Sequence, residues 1–456
     1  MIKTKKSTYE IDMLHGPLIS KVLLYAAPLI LSGVLQLAFN AVDLIVVGQF
    51  AGSNAMGAVG CTSSLTNLIV SLFIGISAGV NVLVARFYGA NQEKDLKEVV
   101  HTAIALSVIG GALLAVIGIV VSKPVLMLMD TPEELLDYAA TYMRIYFAGM
   151  PFIMLYNFGS AILRGVGDSR RPLYYILAAG IVNVILNIIF VKFFYMETAG
   201  VALGTVLSQL VSVVLLIHTL LTTDRPYKLI LKELKISGDK LGMMLRIGLP
   251  AGLQSCLFSL SNVIIQSSVN GFGSFAVSGN TAASNIESFI YTGMNAFYQT
   301  ALTFVGQNYG AGNMKRIKKI SFVCVGFVTV FGVMLGMVAL TFGKPLLHLY
   351  GAGAKEVEYG LVRLSIICSM YFLCGIMDTL VGILRGLGYA VMPMLVSLTG
   401  ACLFRVVWVK TIFTSYKTLK ILYISYPISW ILTASVHAIC LIVVYQKLKK
   451  THPSAE

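Results

Sequence analysis

Ile162-Leu163-Arg164-Gly165-Val166-Gly167 returns almost letter for letter as Ile383-Leu384-Arg385-Gly386-Leu387-Gly388, 221 positions further along the chain. Phe87-Tyr88-Gly89-Ala90-Asn91 has its counterpart in Asn308-Tyr309-Gly310-Ala311-Gly312, and Ser122-Lys123-Pro124 in Gly343-Lys344-Pro345, both at the same offset. Pro172 is matched by Pro393, and Pro28 by Pro250 at 222. A constant offset at separate places marks an internal duplication, so the unit built by the first half is built again by the second.

Between these motifs the chain is apolar. Of its 456 residues 57% are hydrophobic and 12% charged, with a mean hydropathy of +0.83. Soluble domains carry about a quarter charged residues. That deficit excludes a soluble enzyme, a disordered protein and a nucleic-acid-binding module. Apolar runs bounded by charges or by Gly and Pro lie at 18–47, 55–85, 102–129, 136–163, 172–194 and 199–221, then at 246–270, 276–306, 320–347, 357–384, 391–414 and 421–446. Each is long enough for a span of about 20 residues, and none shows the alternation of a barrel strand. The expected fold is an all-α membrane protein. Six spans per copy is an even number, so both copies share one orientation. Twelve transmembrane helices then form two parallel six-helix bundles, related by a pseudo-two-fold along the membrane normal, around a central cavity. The expected layout is an N-terminal segment 1–17, an N-lobe 18–221, a linker 222–245, a C-lobe 246–446 and a tail 447–456.

The charge pattern sets the orientation. The formal net charge is +14, and 24 of the 34 Lys and Arg residues fall in one set of loops against seven in the other. The richer set, which begins with Lys3, Lys5 and Lys6, belongs inside. Both termini are therefore expected in the cytoplasm, with the first span retained in a multi-pass protein of the cell membrane. The seven cysteines all lie within apolar runs and form no Cys-x-x-Cys pair, so no zinc site or disulfide framework is supported.

Of the 20 acidic residues, three lie well inside spans: Asp43, Glu287 and Asp378. A charge at that depth costs roughly 2.5–3.5 kcal/mol on insertion scales, so it needs a partner, a proton or water. Asp43, Asn187 and Thr205 come out at a similar depth near the outer face, and Asn183 lies one turn from Asn187 on the same side of its helix. A carboxylate, two amides and a hydroxyl offer oxygen ligands to a hard cation such as Na+. They equally suit a proton on Asp43. A plainer alternative has the asparagines only bonding neighbouring helices. In the second half the counterpart of Asp43 is Ile264 or Ile265, and a different polar group appears: Glu287 and Arg405, both near mid-depth and able to neutralise each other, with Asp378 nearer the inside. Pro28 and Pro250, inside the first span of each half, are expected bend points.

No Gly-x-x-x-x-Gly-Lys-[Ser/Thr] loop is present, so ATP-driven transport by this chain is not expected. Gly75-Ile76-Ser77-Ala78-Gly79 fits a nucleophile-elbow pattern but lies inside an apolar run, where small residues at this spacing serve helix packing. No catalytic site and no cofactor are expected.

The Pro28…Asn40-Ala41-Val42-Asp43 pattern, the two Leu-Arg-Gly-x-Gly motifs, the two Tyr-Gly-Ala motifs and the duplicated six-span plan together resemble the multidrug and toxic compound extrusion (MATE) transporters, over essentially the whole chain. The resemblance implies a two-lobed secondary antiporter that exports small organic cations or amphipathic drugs in exchange for Na+ or H+. It puts the family's first-span acid on Asp43, its bend proline on Pro28, and its polar positions in spans 5 and 6 on Asn183, Asn187 and Thr205. Two departures stand out: Asn187 takes the place where many prokaryotic members have a second acid, and Ser261 the place where some branches have an acid in span 7. A flippase for lipid-linked precursors, on a related fold, is the alternative. The expected surroundings are the lipid bilayer and the cargo, with no nucleic acid, and the chain is expected to act as a monomer.

Overall fold

The computed structural model describes residues 9–129 and 131–451; Lys3, Lys5 and Lys6 and the far ends of the two expected terminal segments lie outside the described residues. The apolar runs become helices because hydrocarbon offers the backbone no hydrogen bonds, and a helix supplies all of its own. In order they are α1 (Leu18–Phe50), α2 (Gly52–Gly89), α3 (Glu93–Leu128), α4 (Glu133–Ala148), α5 (Met150–Gly165), α6 (Arg170–Ile188, prolonged by a π-helical turn Ile189–Phe193) and α7 (Glu197–Thr222). The second half gives α8 (Gly238–Asn270), α9 (Ser274–Gly310), α10 (Met314–Thr341), α11 (Gly343–Leu349), α12 (Ala354–Gly386), α13 (Val391–Ser397), α14 (Phe404–Trp408) and α15 (Leu419–Thr451). Residues 391–413 run as one rod in which π-helical turns, Leu398–Leu403 and Val409–Phe413, precede and follow α14.

The pairs α4–α5 and α10–α11 each continue one expected span, so the twelve runs map onto twelve rods. Among the described residues, ten helices are long and apolar enough to cross a membrane, or eleven counting α4 and α5 together. α9 is long enough at 37 residues but more polar, with Asn280, Glu287, Thr300, Gln307 and Asn308 buried along it. The span expected at 136–163 is bent by 48°. Gly149 ends α4, and Pro151 in the first turn of α5 cannot donate a backbone bond, which accounts for the break. α8 begins eight residues before its apolar run. Its first turns are amphipathic, with Lys240 bonded to Asp95 at the start of α3 and stacked over Phe87.

The duplicated motif has a physical reading. Gly165 lets α5 close on α2: a Cβ there would lie 2.7 Å from the Val84 side chain and 3.0 Å from the Asn81 carbonyl. Gly386 does the same for α12 against α9, with Leu302 and Val305 in the matching positions. Both pairs of neighbours are again 221 apart. The closing glycines, Gly167 and Gly388, have φ of +101° and +91°, a conformation open to glycine and strained for other residues. Asn91 and Gly312 hold φ of +54° and +71° at the ends of the Tyr-Gly-Ala motifs, which explains why this position alternates between these two residue types.

The chain divides into two compact units. Unit 1 comprises Met1–Ile11 with Leu31–Leu249, and unit 2 comprises Asp12–Ile30 with Pro250–Glu456. The first helix of each half is thus shared out: α1 changes unit after Ile30, two residues past Pro28, and α8 changes at Pro250 itself. In unit 1 Glu10 accepts hydrogen bonds from Tyr88 (3.0 Å) and Tyr227 (2.7 Å), and the Ile11 N–H donates to the Gly167 carbonyl. Burial and the Glu10 charge push the Tyr227 hydroxyl up to about 12. In unit 2 Arg316 donates to the carbonyls of Met13, His15 and Gly16, which fixes the lead-in to α1.

Candidate functional site

In unit 1 the later half of α1 touches α6 at two points. The contact is made close by Gly180, where a Cβ would fall 1.8 Å from the Phe39 ring. Further along the same pair of helices, Asn187 Nδ2 donates to Asp43 Oδ1 at 2.6 Å. Asn187 is wholly buried and Asn183, one turn before it, nearly so. The Oδ1 of each receives no hydrogen bond within the described residues. Asn187 fits because α7 presents Gly204 to it: a Cβ at that position would lie 2.0 Å from Asn187 Oδ1. Val46, Val47, Ala55, Val191 and Val201 form a buried apolar cluster near this point, with Val42 and Tyr142 of α4 packed against it.

A partly exposed carboxylate thus accepts from the Asn187 amide, with no basic side chain among the described residues in ion-pair contact with it, and on the same helix two buried amide oxygens, of Asn187 and Asn183, receive no hydrogen bond among them. Orphaned acceptors of this kind are costly unless something electropositive visits them. Of the four expected residues, the structure joins Asp43 and Asn187 directly and stacks Asn183 on the same helical side. Thr205 follows Gly204 but gives its hydroxyl proton to the Val201 carbonyl of its own helix at 3.0 Å. Tyr142 and Gly204 were not singled out from the sequence. A glycine that makes room for a side chain on another helix carries no local signature.

Unit 2 requires a correction. Glu287 does not pair with Arg405. Its two oxygens receive Nε and Nη2 of Arg363, from α12, at 2.8 and 2.6 Å. Nη1 of Arg363 goes to Asn280 Oδ1, which also accepts from Tyr423 at 2.9 Å, while Asn280 Nδ2 donates to Gln266. This is a buried pair with its polar neighbours satisfied, which reads as a staple between α9 and α12. The signal for Arg363 was present: a basic residue within a span needs a partner as much as an acid does.

Arg405 stands elsewhere. It is 3% exposed, its Nε donates to Ser429 Oγ at 3.0 Å, and its guanidinium lies 4.1 Å from the Tyr426 ring centroid and 5.8 Å from that of Trp430. Asp378 is partly exposed, next to Tyr291 and within electrostatic reach of Arg385 and Arg405. Arg385, from the duplicated motif, donates to Tyr298 Oη and Gln254 Oε1 at 2.7 and 2.8 Å. Pro28 and Pro250 both lie inside continuous helices, close to where each helix passes from one unit to the other.

The MatE family model matches residues 28–189 and, a second time, 250–409, in step with the internal duplication. Among curated proteins the chain is 29% identical to the probable multidrug resistance protein YoeA of Bacillus subtilis, across 92% of this chain and 91% of that one. It is 28% identical to an FAD transporter of Shewanella oneidensis, across 76% of this chain and 78% of the relative. A solved MOP superfamily transporter from Pyrococcus furiosus superposes with a TM-score of 0.91 at 21% identity, covering 98% of this chain and all of that one, which is a likeness of fold. Two matches of one family model, in register with a repeat that the helix contacts themselves display, leave one assignment: the chain belongs to the MatE family, the multidrug and toxic compound extrusion transporters, and is a helical membrane transporter rather than an enzyme.

Proposed function

We propose that this chain is a secondary active exporter that moves amphipathic organic compounds out of the cell in exchange for Na+ or H+ taken up at Asp43. The observation that carries this is the Asp43–Asn187 contact: a carboxylate with no basic partner among the described residues accepts from an amide whose own oxygen, like that of Asn183 one turn away, receives no hydrogen bond among them. A proton or a Na+ ion supplies what each of these groups lacks. Asn183, one turn from Asn187 on the same helix, would add a second amide oxygen, and Thr205, next to Gly204 in sequence, would add a hydroxyl. Asn187 in place of a second acid leaves a site of one formal negative charge, which matches a monovalent ion.

Membership of the family suggests small organic cations or amphipathic drugs as cargo, and the multidrug name of the Bacillus relative supports drug-like compounds. Another relative's cargo, FAD, is an aromatic phosphate ester, so organic anions also belong among the candidates. The excess of basic residues in one set of loops supports a reading in which both termini are cytoplasmic and Asp43 lies towards the outer face. The protein acts in the cell membrane as a monomer. The flippase alternative gains nothing from these relatives.

The test is efflux of ethidium from proteoliposomes with Na+ and H+ gradients imposed one at a time. The reading expects one gradient to drive efflux and the other to be idle or weaker. Equal efflux with no gradient at all would remove the antiport reading.

A further inference from the structure

Unit 2 holds three buried arginines in its interior and two acids. Arg363 is cancelled by Glu287. Arg385 and Arg405 are left with Asp378 alone, so one positive charge is in excess among these groups. Arg405 carries that excess. It is more than nine-tenths buried, and among the described residues no carboxylate comes within ion-pair distance of it. Ser429 takes its Nε proton, but no acceptor among the described residues meets either terminal amino group. A guanidinium presents those groups as a fork that matches an oxyanion, and leaving them unmet inside a membrane protein is costly.

Its surroundings are built. Tyr426 and Trp430 hold the guanidinium by cation–π contact at 4.1 and 5.8 Å. Tyr371 packs on Trp430 at 5.4 Å, so a wall of three rings adjoins the charge. The five residues of α14 that carry Arg405 are bracketed by π-helical turns, a rare distortion that gathers at functional positions. A structural arginine would be expected to have a carboxylate, as Arg363 has.

We propose that Arg405 is the anchor for an oxyanion group on an aromatic cargo, which binds in the interior of unit 2 with its ring against Tyr371, Tyr426 and Trp430. This deepens the transport reading above and rests on it for the word cargo; the binding itself can be tested without it. Arg405 supplies the charge and the fork, Ser429 and Tyr426 hold the fork in place, and the aromatic wall selects planar molecules.

The experiment uses one of the chain's two tryptophans as reporter. Trp408→Phe leaves Trp430 alone, and its fluorescence is followed in detergent while naphthyl phosphate or naphthol is added. The two probes share a ring and differ by the phosphate. Naphthyl phosphate is expected to quench Trp430 with an affinity about tenfold higher than naphthol, the equivalent of one charge-assisted hydrogen-bond pair. Arg405→Gln is expected to erase that preference and Arg405→Lys to keep part of it, since an ammonium retains the charge but not the fork. Equal quenching by both probes in the parent protein overturns the proposal, as does a preference that survives Arg405→Gln. The parent measurement decides the matter even if the variants do not fold. Because no ion gradient is present, the outcome does not depend on whether Asp43 couples transport.

Discussion

Gly204 matters because of the atom it leaves out. A methyl group there would stand 2.0 Å from Asn187 Oδ1, so Gly204→Ala must push the amide aside and break its 2.6 Å bond to Asp43. The expected cost is about 1–3 kcal/mol of stability, typical of overpacking. Gradient-driven efflux is expected to fall much further than the thermal melting point, and a variant with undiminished efflux would separate Asn187 from the coupling. The Glu287–Arg363 pair makes a different prediction. Glu287→Gln strands a buried guanidinium and is expected to cost about 3–5 kcal/mol, whereas Glu287→Met with Arg363→Met is expected to recover most of that loss. Thermal melts of the single and double variants distinguish a staple from a transport residue. Asp12 gives a sign for pH. Burial pushes its carboxyl up, but the Leu14 N–H, the Lys21 ammonium and the His15 N–H outweigh this and hold it below the ordinary range. A lowered folded value means stability that is present above the unfolded value, near 3.9, and lost as the pH falls through the folded one. The melting difference between the parent and Asp12→Asn is therefore expected to vanish in acid, and its persistence there would deny the carboxylate its role. At this scale Asp43, Asn187 and Asn183 were legible because a polar atom in an apolar run is conspicuous. Gly204, Tyr142 and the true partner of Glu287 were not, because each depends on which helix lies opposite.

Helices were the most legible level, since hydrocarbon leaves the backbone few options, and every apolar run became a rod. What the runs hid were the distortions. The bend between α4 and α5 and the π-helical turns around α14 leave hydropathy unchanged while redirecting side chains. The first helices carry the clearest prediction at this scale. Pro28 and Pro250 each remove a backbone hydrogen bond from a helix that passes between units at or near the same residue. An interior proline costs about 3 kcal/mol, so Pro28→Ala and Pro250→Ala are expected to raise the melting point while slowing transport. Stabilised variants with full transport would show the prolines to be static kinks.

Across the whole molecule the duplication is a fact of packing as well as of spelling. Gly165 meets Val84 and Asn81 where Gly386 meets Val305 and Leu302, so one contact is made twice. The two copies nevertheless carry different chemistry. Among the described residues, unit 1 holds in Asp43 a carboxylate with no basic partner and, near it on α6, amide oxygens that receive no hydrogen bond, and unit 2 holds a satisfied ion pair together with an arginine whose fork is unmet. On the proposed reading, the first unit would take the coupling ion and the second the cargo. The sequence disclosed the scaffold and the lone acid; the division of α1 and α8 between units needed coordinates, because it depends on which neighbours each half-helix chooses. The most direct measurement is cargo movement by Asp43→Asn in proteoliposomes, scored both as uphill efflux under an imposed Na+ or H+ gradient and as cargo exchange at equilibrium. The account predicts that uphill efflux disappears while the protein stays folded and equilibrium exchange remains. Uphill efflux at the parent rate from Asp43→Asn would contradict it.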